Sequence, residues 1–254
     1  MQKTKTRYVN KKPSSNFFPL INEEIINEAI LKLNNDGYYV MPWKMPGIWI
    51  DNAKLKAENL NVESRSDPID LQKPININPI YPTYWHNDKD VIGISEFKSL
   101  VDDNGIKEII GRYLGCEPVF DLAAAWWTYP FKEPDSKSAQ LYHYDLERIK
   151  WLKVFVYMNN VDFNNGPHCF IKGSHNSIGN KISHEGRFTD EEVFKLYPNS
   201  NEVVHIGKAG TIIIEDTLGF HKGLPANCGH RFIFEFQYSV NGFGYPHDFD
   251  NLTY

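Results

Sequence analysis

WLKVFVYMNNVDFNNGPHCFIKGSH (151–175) is the stretch on which the fold turns. Its first eight residues form the strongest β run in the chain, and CFIKG (169–173) reads as a second strand across an Asn-Asn-Gly turn at 164–166. Further apolar or alternating runs lie on either side: LYHYD (141–145) before it, TIIIEDT (211–217) and RFIFEFQYSV (231–240) after it. Short strands separated by Gly, Asn and Pro turns imply a sandwich or barrel. One helix interrupts them near 189–197, where Thr189 and Glu192 fit a capping box.

Upstream, Ile21, Ile25, Ile26, Ala29, Ile30 and Leu33 recur at helical spacing, with Asn22 as the cap and Asp36-Gly37 as the stop before YYVMP (38–42). Helices are expected at 95–102 and 105–114, and a buried strand at VFDLAAAWWTY (119–129). Residues 1–18 read as a mobile leader. Residues 43–92, rich in Pro, Asn and Asp, offer only short elements; together with 176–206 they are expected to form substrate-selecting lids or loops.

At 254 residues and 41% hydrophobic, the chain can bury one sizeable core, so a single domain over 1–254 is expected, with its β core at 119–240. The 27 basic and 32 acidic residues leave no electrostatic footprint for nucleic acid or an anionic membrane. No apolar run is long enough for a signal peptide core or a membrane span. Cys116, Cys169 and Cys228 fit neither a disulfide framework nor a zinc ribbon and read as thiols of a reducing cytoplasm. A small molecule, or a localised group on a larger one, is the expected partner.

Two imidazoles and one carboxylate on one face of a metal, with the opposite positions open, form the ligand set of iron(II) oxygen chemistry. Residues i and i+2 of a strand point the same way, so His143 and Asp145 can present a nitrogen and an oxygen to one ion, with His221 as the distant third ligand. The spacing alone is weak, because nine histidines and 32 acidic residues predict about one chance His-x-acid. The rival, His86-Asn87-Asp88, sits in Pro- and Asn-rich sequence and reads as loop, whereas a strong β run follows His143.

QLYHYD (140–145), the 151–175 stretch, GTIIIEDTLGFHKG (210–223) and Arg231 together resemble the phytanoyl-CoA dioxygenase family, in register over Gln140 to Arg231. The resemblance implies a double-stranded β-helix (jelly-roll, cupin-like) core, mainly β with flanking helices. It implies Fe(II) held by His143, Asp145 and His221, and 2-oxoglutarate as co-substrate with its far carboxylate on Arg231. Gln140 and Phe155 match positions that contact the co-substrate in some relatives. The implied reaction consumes O2, hydroxylates a small or conjugated organic substrate and releases succinate and CO2. Asp145 disfavours halogenation, since halogenating relatives carry a small residue there. Gly223 departs from the pattern, because certain members carry a hydroxyl residue two positions after the distal histidine.

The residues themselves agree. A guanidinium holds a carboxylate with a planar fork and stays charged. On 231–240, Arg231, Ile233, Glu235 and Gln237 share one face, while Phe232, Phe234, Phe236 and Tyr238 share the other, which is expected to pack against helices or a second sheet. Trp126, Trp127 and Tyr129 read first as core, His175 as a turn-stabilising histidine, and Asp190-Glu191-Glu192 as a helix's first turn. Lys153 and Tyr157 share the face of Phe155. His168, His184, His205, His230 and His247 have no carboxylate at ligand spacing. Two other classes remain open: a non-catalytic jelly-roll protein that binds a metal or ligand, and a metal-dependent cupin-type isomerase or hydrolase, which usually uses more histidine ligands.

Overall fold

Asn22 and Gly37 bracket the first helix, α1 (Glu23–Asp36), in a computed structural model of the chain that describes residues 15, 17–18, 21–65, 67–74, 77–131, 139–146, 149–177 and 186–241. The Asn22 side chain accepts from the Ile25 amide at 3.0 Å, satisfying one of the donors a helix start leaves open. Gly37 ends the helix at φ 90°, and its amide donates to Leu33 O at 3.1 Å. The leader expected at 1–18 lies almost wholly outside the described residues, as do 178–185 of the second expected lid and both His184 and His247.

After α1 come β1 (Tyr38–Val40), α2 (Gly47–Glu58), β2 (Val62–Ser64), β3 (Asp67–Gln72), β4 (Thr83–His86), α3 (Asp88–Gly93), α4 (Ser95–Val101), α5 (Asn104–Leu114) and β5 (Val119–Thr128). The second half carries β6 (Trp151–Tyr157), β7 (His168–Ile171), α6 (Asp190–Leu196), β8 (Glu202–His205), β9 (Ile212–Glu215), β10 (His221–Gly223) and β11 (Arg231–Ser239). Every strand pairing is antiparallel. The large sheet runs β1-β9-β6-β11-β5-β4-β2-β3 and the small one β10-β7-β8, without closure into a barrel. The chain is therefore mainly β with flanking helices, as expected. Among the described residues no helix is long and apolar enough to cross a membrane.

Alternation along the central strands assigns each face of the large sheet. Ala123, Ala125 and Trp127 on β5, Leu152, Val154 and Val156 on β6, and Phe232, Phe234 and Phe236 on β11 join one core with residues of α1, α2, α4 and α5. Phe234 stacks on Phe97 of α4 at 4.0 Å between centroids, and Phe232 on Trp127 at 4.1 Å. The opposite register, Ala124, Trp126, Phe155, Tyr157 and Ile233, forms a second cluster on the inner face. Burial on both faces is why these strands read as nearly continuous apolar runs. A third cluster, including Tyr142, Phe188, Val193 and Phe220, packs α6 beneath the small sheet.

Three expectations need correction. Residues 43–92 hold the 12-residue α2, three strands that extend the large sheet past β5 and most of α3, rather than only short elements; β2 and β4 have only three and four residues, too short to emerge from the Pro and Asn around them. His86 ends a strand instead of sitting in a loop. LYHYD forms no strand of its own: Tyr142 and His143 make isolated bridges to Phe188 and His221. The elements expected from residue spacing are present as α1, α4, α5 and β5, and α6 has the Thr189/Glu192 capping box.

Gly37 links α1 to β1 in the left-handed region, and a Cβ there would lie 2.6 Å from His175 Nδ1 and 2.7 Å from a Phe170 ring atom. Gly37→Ala is expected to lower unfolding stability by about 2 kcal/mol or more, read as a lower urea midpoint with an unchanged slope.

Candidate metal centre

His143 and His221 meet because their backbones pair. His143 N donates to His221 O at 3.0 Å, His221 N donates to His143 O at 2.9 Å, and two residues on Asp145 N donates to Thr217 O at 2.9 Å. The segment carrying the first two candidate ligands thus lies along β10, which carries the third. The imidazole centroids are 4.2 Å apart. One ligand atom from each of His143, Asp145 and His221 lies within 4.8 Å of the others, a spacing that one metal ion can span.

The protonation pattern fits a divalent cation. His143 Nδ1 is 3.0 Å from Leu141 O, and His221 Nδ1 is 2.9 Å from Gly219 O. A carbonyl only accepts, so each Nδ1 carries the hydrogen and each Nε2 keeps its lone pair for a metal. Burial lowers the pKa of both imidazoles, so both stay neutral, the ligating form. Burial opposes ionisation of Asp145 too, but the adjacent Lys153 ammonium holds this carboxyl well below the usual range. Lys153 Nζ lies 2.9 Å from Asp145 Oδ2, a close ion pair rather than an aligned hydrogen bond, and 3.3 Å from Glu235 Oε1.

The triad opens on a cavity of about 430 Å³. Arg231, Phe155 and His168 line it, as do Trp85, Trp126, Arg65 and Arg187. Arg231 is buried, and its only protein hydrogen bond among the described residues runs from Nη2 to Thr128 Oγ1 at 3.2 Å; Nε and Nη1 are buried with no partner. A guanidinium left so is costly unless an anion enters beside it. Gly223 permits this placement, since a Cβ there would come within 3.0 Å of Arg231 Nη2.

Gln140 is buried just before the triad but does not line the cavity. His86 is committed elsewhere: Trp127 Nε1 donates to its Nε2 at 2.9 Å, leaving Nδ1–H to donate to Asn61 O at 3.2 Å. Trp127 belongs to the helix-side core, whereas Trp126 stacks on Trp85 at 4.3 Å and lines the cavity. His175 contacts Asn34 O at 3.2 Å in the turn after β7. Sequence reasoning missed the partner of His168 and His205: His168 Nε2 is 2.9 and 3.1 Å from the Glu215 carboxyl oxygens, and His205 Nε2 is 3.9 Å away from one of them. Glu215 stands directly after the apolar run Ile212–Ile214, but nothing near it in sequence points to either histidine.

A mononuclear site of two imidazoles and one carboxylate, beside a buried arginine on two antiparallel sheets, is the class these features define. No protein-family model matches the sequence, and no curated protein matches it. Solved structures do match its fold. The non-heme alpha ketoglutarate dependent epimerase SnoN from nogalamycin biosynthesis has a TM-score of 0.62 at 14% identity, over 85% of this chain and 84% of that one. The carbocyclase SnoK, of the same dependence and pathway, has 0.60 at 14% identity over 90% and 87%. HygX from Streptomyces hygroscopicus, solved with nickel, 2-oxoglutarate and hygromycin B, has 0.60 at 13% identity over 84% and 86%.

Two measurements test this site. One divalent metal per chain should bind, and His143→Ala or Asp145→Ala should weaken it by more than about a hundredfold by calorimetric titration. His86→Ala should leave metal affinity unchanged while costing about 2 kcal/mol of stability through the unpaired Trp127 N–H. Separately, burial, the largest cause, raises the Glu215 pKa from 4.5 to about 8, so the folded protein holds a proton that the unfolded chain releases. The Glu215 contribution to metal-free stability is full below pH 4.5 and is lost as pH rises through about 8. Glu215→Gln should flatten that part of the stability profile in urea melts.

Proposed function

We propose that this chain is an Fe(II)/2-oxoglutarate-dependent oxygenase of the phytanoyl-CoA dioxygenase type, which oxidises, most simply hydroxylates, a small polar organic molecule. The observation that carries this reading is the Arg231 guanidinium, buried with Nε and Nη1 unpaired and lining the same cavity as His143, Asp145 and His221. A metal triad alone suits many reactions. A triad beside an unsatisfied buried arginine calls for a ligand with a metal-binding end and a carboxylate end, and 2-oxoglutarate is such a molecule.

Fe(II) in this triad, together with bound 2-oxoglutarate, would supply oxidation by O2 as the co-substrate is converted to succinate and CO2. The chain's own residues do the rest. His143 and His221 offer Nε2 with rings oriented by the Leu141 and Gly219 carbonyls, and Asp145 offers a carboxylate kept ionised by Lys153. Arg231 fixes the far end of the co-substrate, and Phe155 walls it from the β6 side. Asp145 stands where halogenating relatives carry a small residue, which favours oxidation over halogenation.

The cavity lining also carries charged side chains of both signs, among them Arg65, Asp88, Asp121 and Arg187, together with the Trp85–Trp126 stack. Such a lining favours a polar molecule with a flat or ring face. HygX has been solved with hygromycin B and SnoN with nogalamycin RO, both small molecules, in line with a partner of this kind. Three free cysteines are compatible with work in a reducing cytoplasm. The isomerase alternative lacks support, since the third nearby imidazole, His168, spends its Nε2 on Glu215.

Succinate should form from 2-oxoglutarate only with both Fe(II) and O2 present, and more quickly with the true substrate, which gains mass of one oxygen if hydroxylated. Arg231→Ala should raise the Kd for 2-oxoglutarate by about two orders of magnitude, as expected for removing one partner of a buried charge pair, while metal affinity stays near wild type. Wild-type 2-oxoglutarate affinity in Arg231→Ala would contradict the assignment.

A further inference from the structure

His168, on β7 of the small sheet, lines the cavity that the triad and Arg231 share. It is the cross-strand partner of Gly223 on β10, two residues beyond His221. Paired residues on adjacent strands have neighbouring side chains on the same face, so the imidazole occupies room that a side chain at 223 would contest. Its ring packs on Phe155 with centroids 4.8 Å apart, sits 5.7 Å from the His221 ring and lines the cavity. Its backbone is pinned as well, because His168 N donates to Tyr157 Oη at 3.1 Å, and that hydroxyl donates to His205 O at 2.7 Å.

The ring's hydrogen bonds within the described protein all run through Nε2, to Glu215. We propose that His168 is a second anchor for the far carboxylate of 2-oxoglutarate, donating from Nδ1, with Glu215 as the positioning residue that fixes its tautomer. The proposal rests on 2-oxoglutarate being the co-substrate. A carboxylate has about four acceptor sites, more than the two open nitrogens of Arg231 fill. Gly223 brings no side chain to help, and His168 stands directly across from it.

The charge pattern is consistent with that tautomer. His168 and Glu215 are both buried and in contact at 2.9 Å, so a pair without net charge holds two protons, one on the Nε2–carboxyl axis and one on Nδ1. Burial raises the Glu215 pKa to about 8, so its carboxyl is protonated at neutral pH and donates to Nε2. The single ring proton then belongs on Nδ1, aimed away from Glu215. A neutral donor beside Arg231 adds a hydrogen bond without adding a second buried cation.

The test compares 2-oxoglutarate with 2-oxopentanoate, which has the same metal-binding end and no far carboxylate, by anaerobic calorimetry on the Fe(II)-loaded full chain. In His168→Leu the Kd for 2-oxoglutarate should rise about tenfold or more, while affinities for 2-oxopentanoate and Fe(II) stay at wild type. Glu215→Gln should retain near-wild-type affinity, because its amide N–H donates to Nε2 and preserves the same tautomer. If His168→Leu does not fold, ¹⁵N spectra of the Zn(II)-loaded wild type carry the test: Nδ1 should be protonated and should shift with 2-oxoglutarate but not with 2-oxopentanoate. An unchanged ratio of the two Kd values in His168→Leu, or an Nδ1 indifferent to 2-oxoglutarate, overturns the role of His168 and leaves the co-substrate assignment standing. A wild-type protein that binds Fe(II) and neither acid overturns both.

Discussion

Two backbone hydrogen bonds between His143 and His221, one in each direction, hold the site together. They join a segment with almost no regular structure to the edge of the small sheet, and they bring two imidazoles from positions far apart in sequence to a centroid separation of 4.2 Å. Everything chemical follows from that juncture. Asp145 is tied in two residues later through Thr217, and Lys153 reaches it from the facing sheet. The ligands are thus set by backbone pairing, with side-chain bonds to the Leu141 and Gly219 carbonyls setting only the ring orientations.

Charge organises the cavity around this juncture. Lys153 lies between Asp145 and Glu235, so one ammonium offsets two carboxylates in a poorly solvated space. Arg231 has no such carboxylate partner among its hydrogen bonds and keeps two nitrogens open. Glu215, deeper still, avoids the cost of a buried charge by keeping its proton. A divalent cation at the triad and a dianionic co-substrate reaching Arg231 would complete this pattern, with each charge meeting its opposite.

Legibility in the sequence followed the length and regularity of each element. β11 was readable in full, because nine residues of strict alternation separate an aromatic helix-facing side from a polar side that includes Arg231. α1 and α6 were readable through their caps at Asn22 and Thr189. The order and spacing of His143, Asp145, His221 and Arg231 were visible as well, although the strand expected beneath His143 dissolves into isolated bridges. β2, β4 and β8 were not readable: three or four residues hold their register through partners distant in sequence. For the same reason His86 reads as a loop residue in the sequence, whereas it ends β4 with its nitrogens taken up by Trp127 and Asn61. The pairing of His168 with Glu215 spans 47 positions and has no local signature.

The central claim is that the triad and Arg231 together hold a 2-oxo acid on Fe(II). Mixing anaerobic Fe(II)-loaded protein with 2-oxoglutarate and recording the visible spectrum tests it directly, because a 2-oxo acid chelating the metal gives a charge-transfer band. The account predicts such a band in the wild-type protein and its loss in His143→Ala. A wild-type protein that binds Fe(II) yet develops no band, or an undiminished band in His143→Ala, would contradict it.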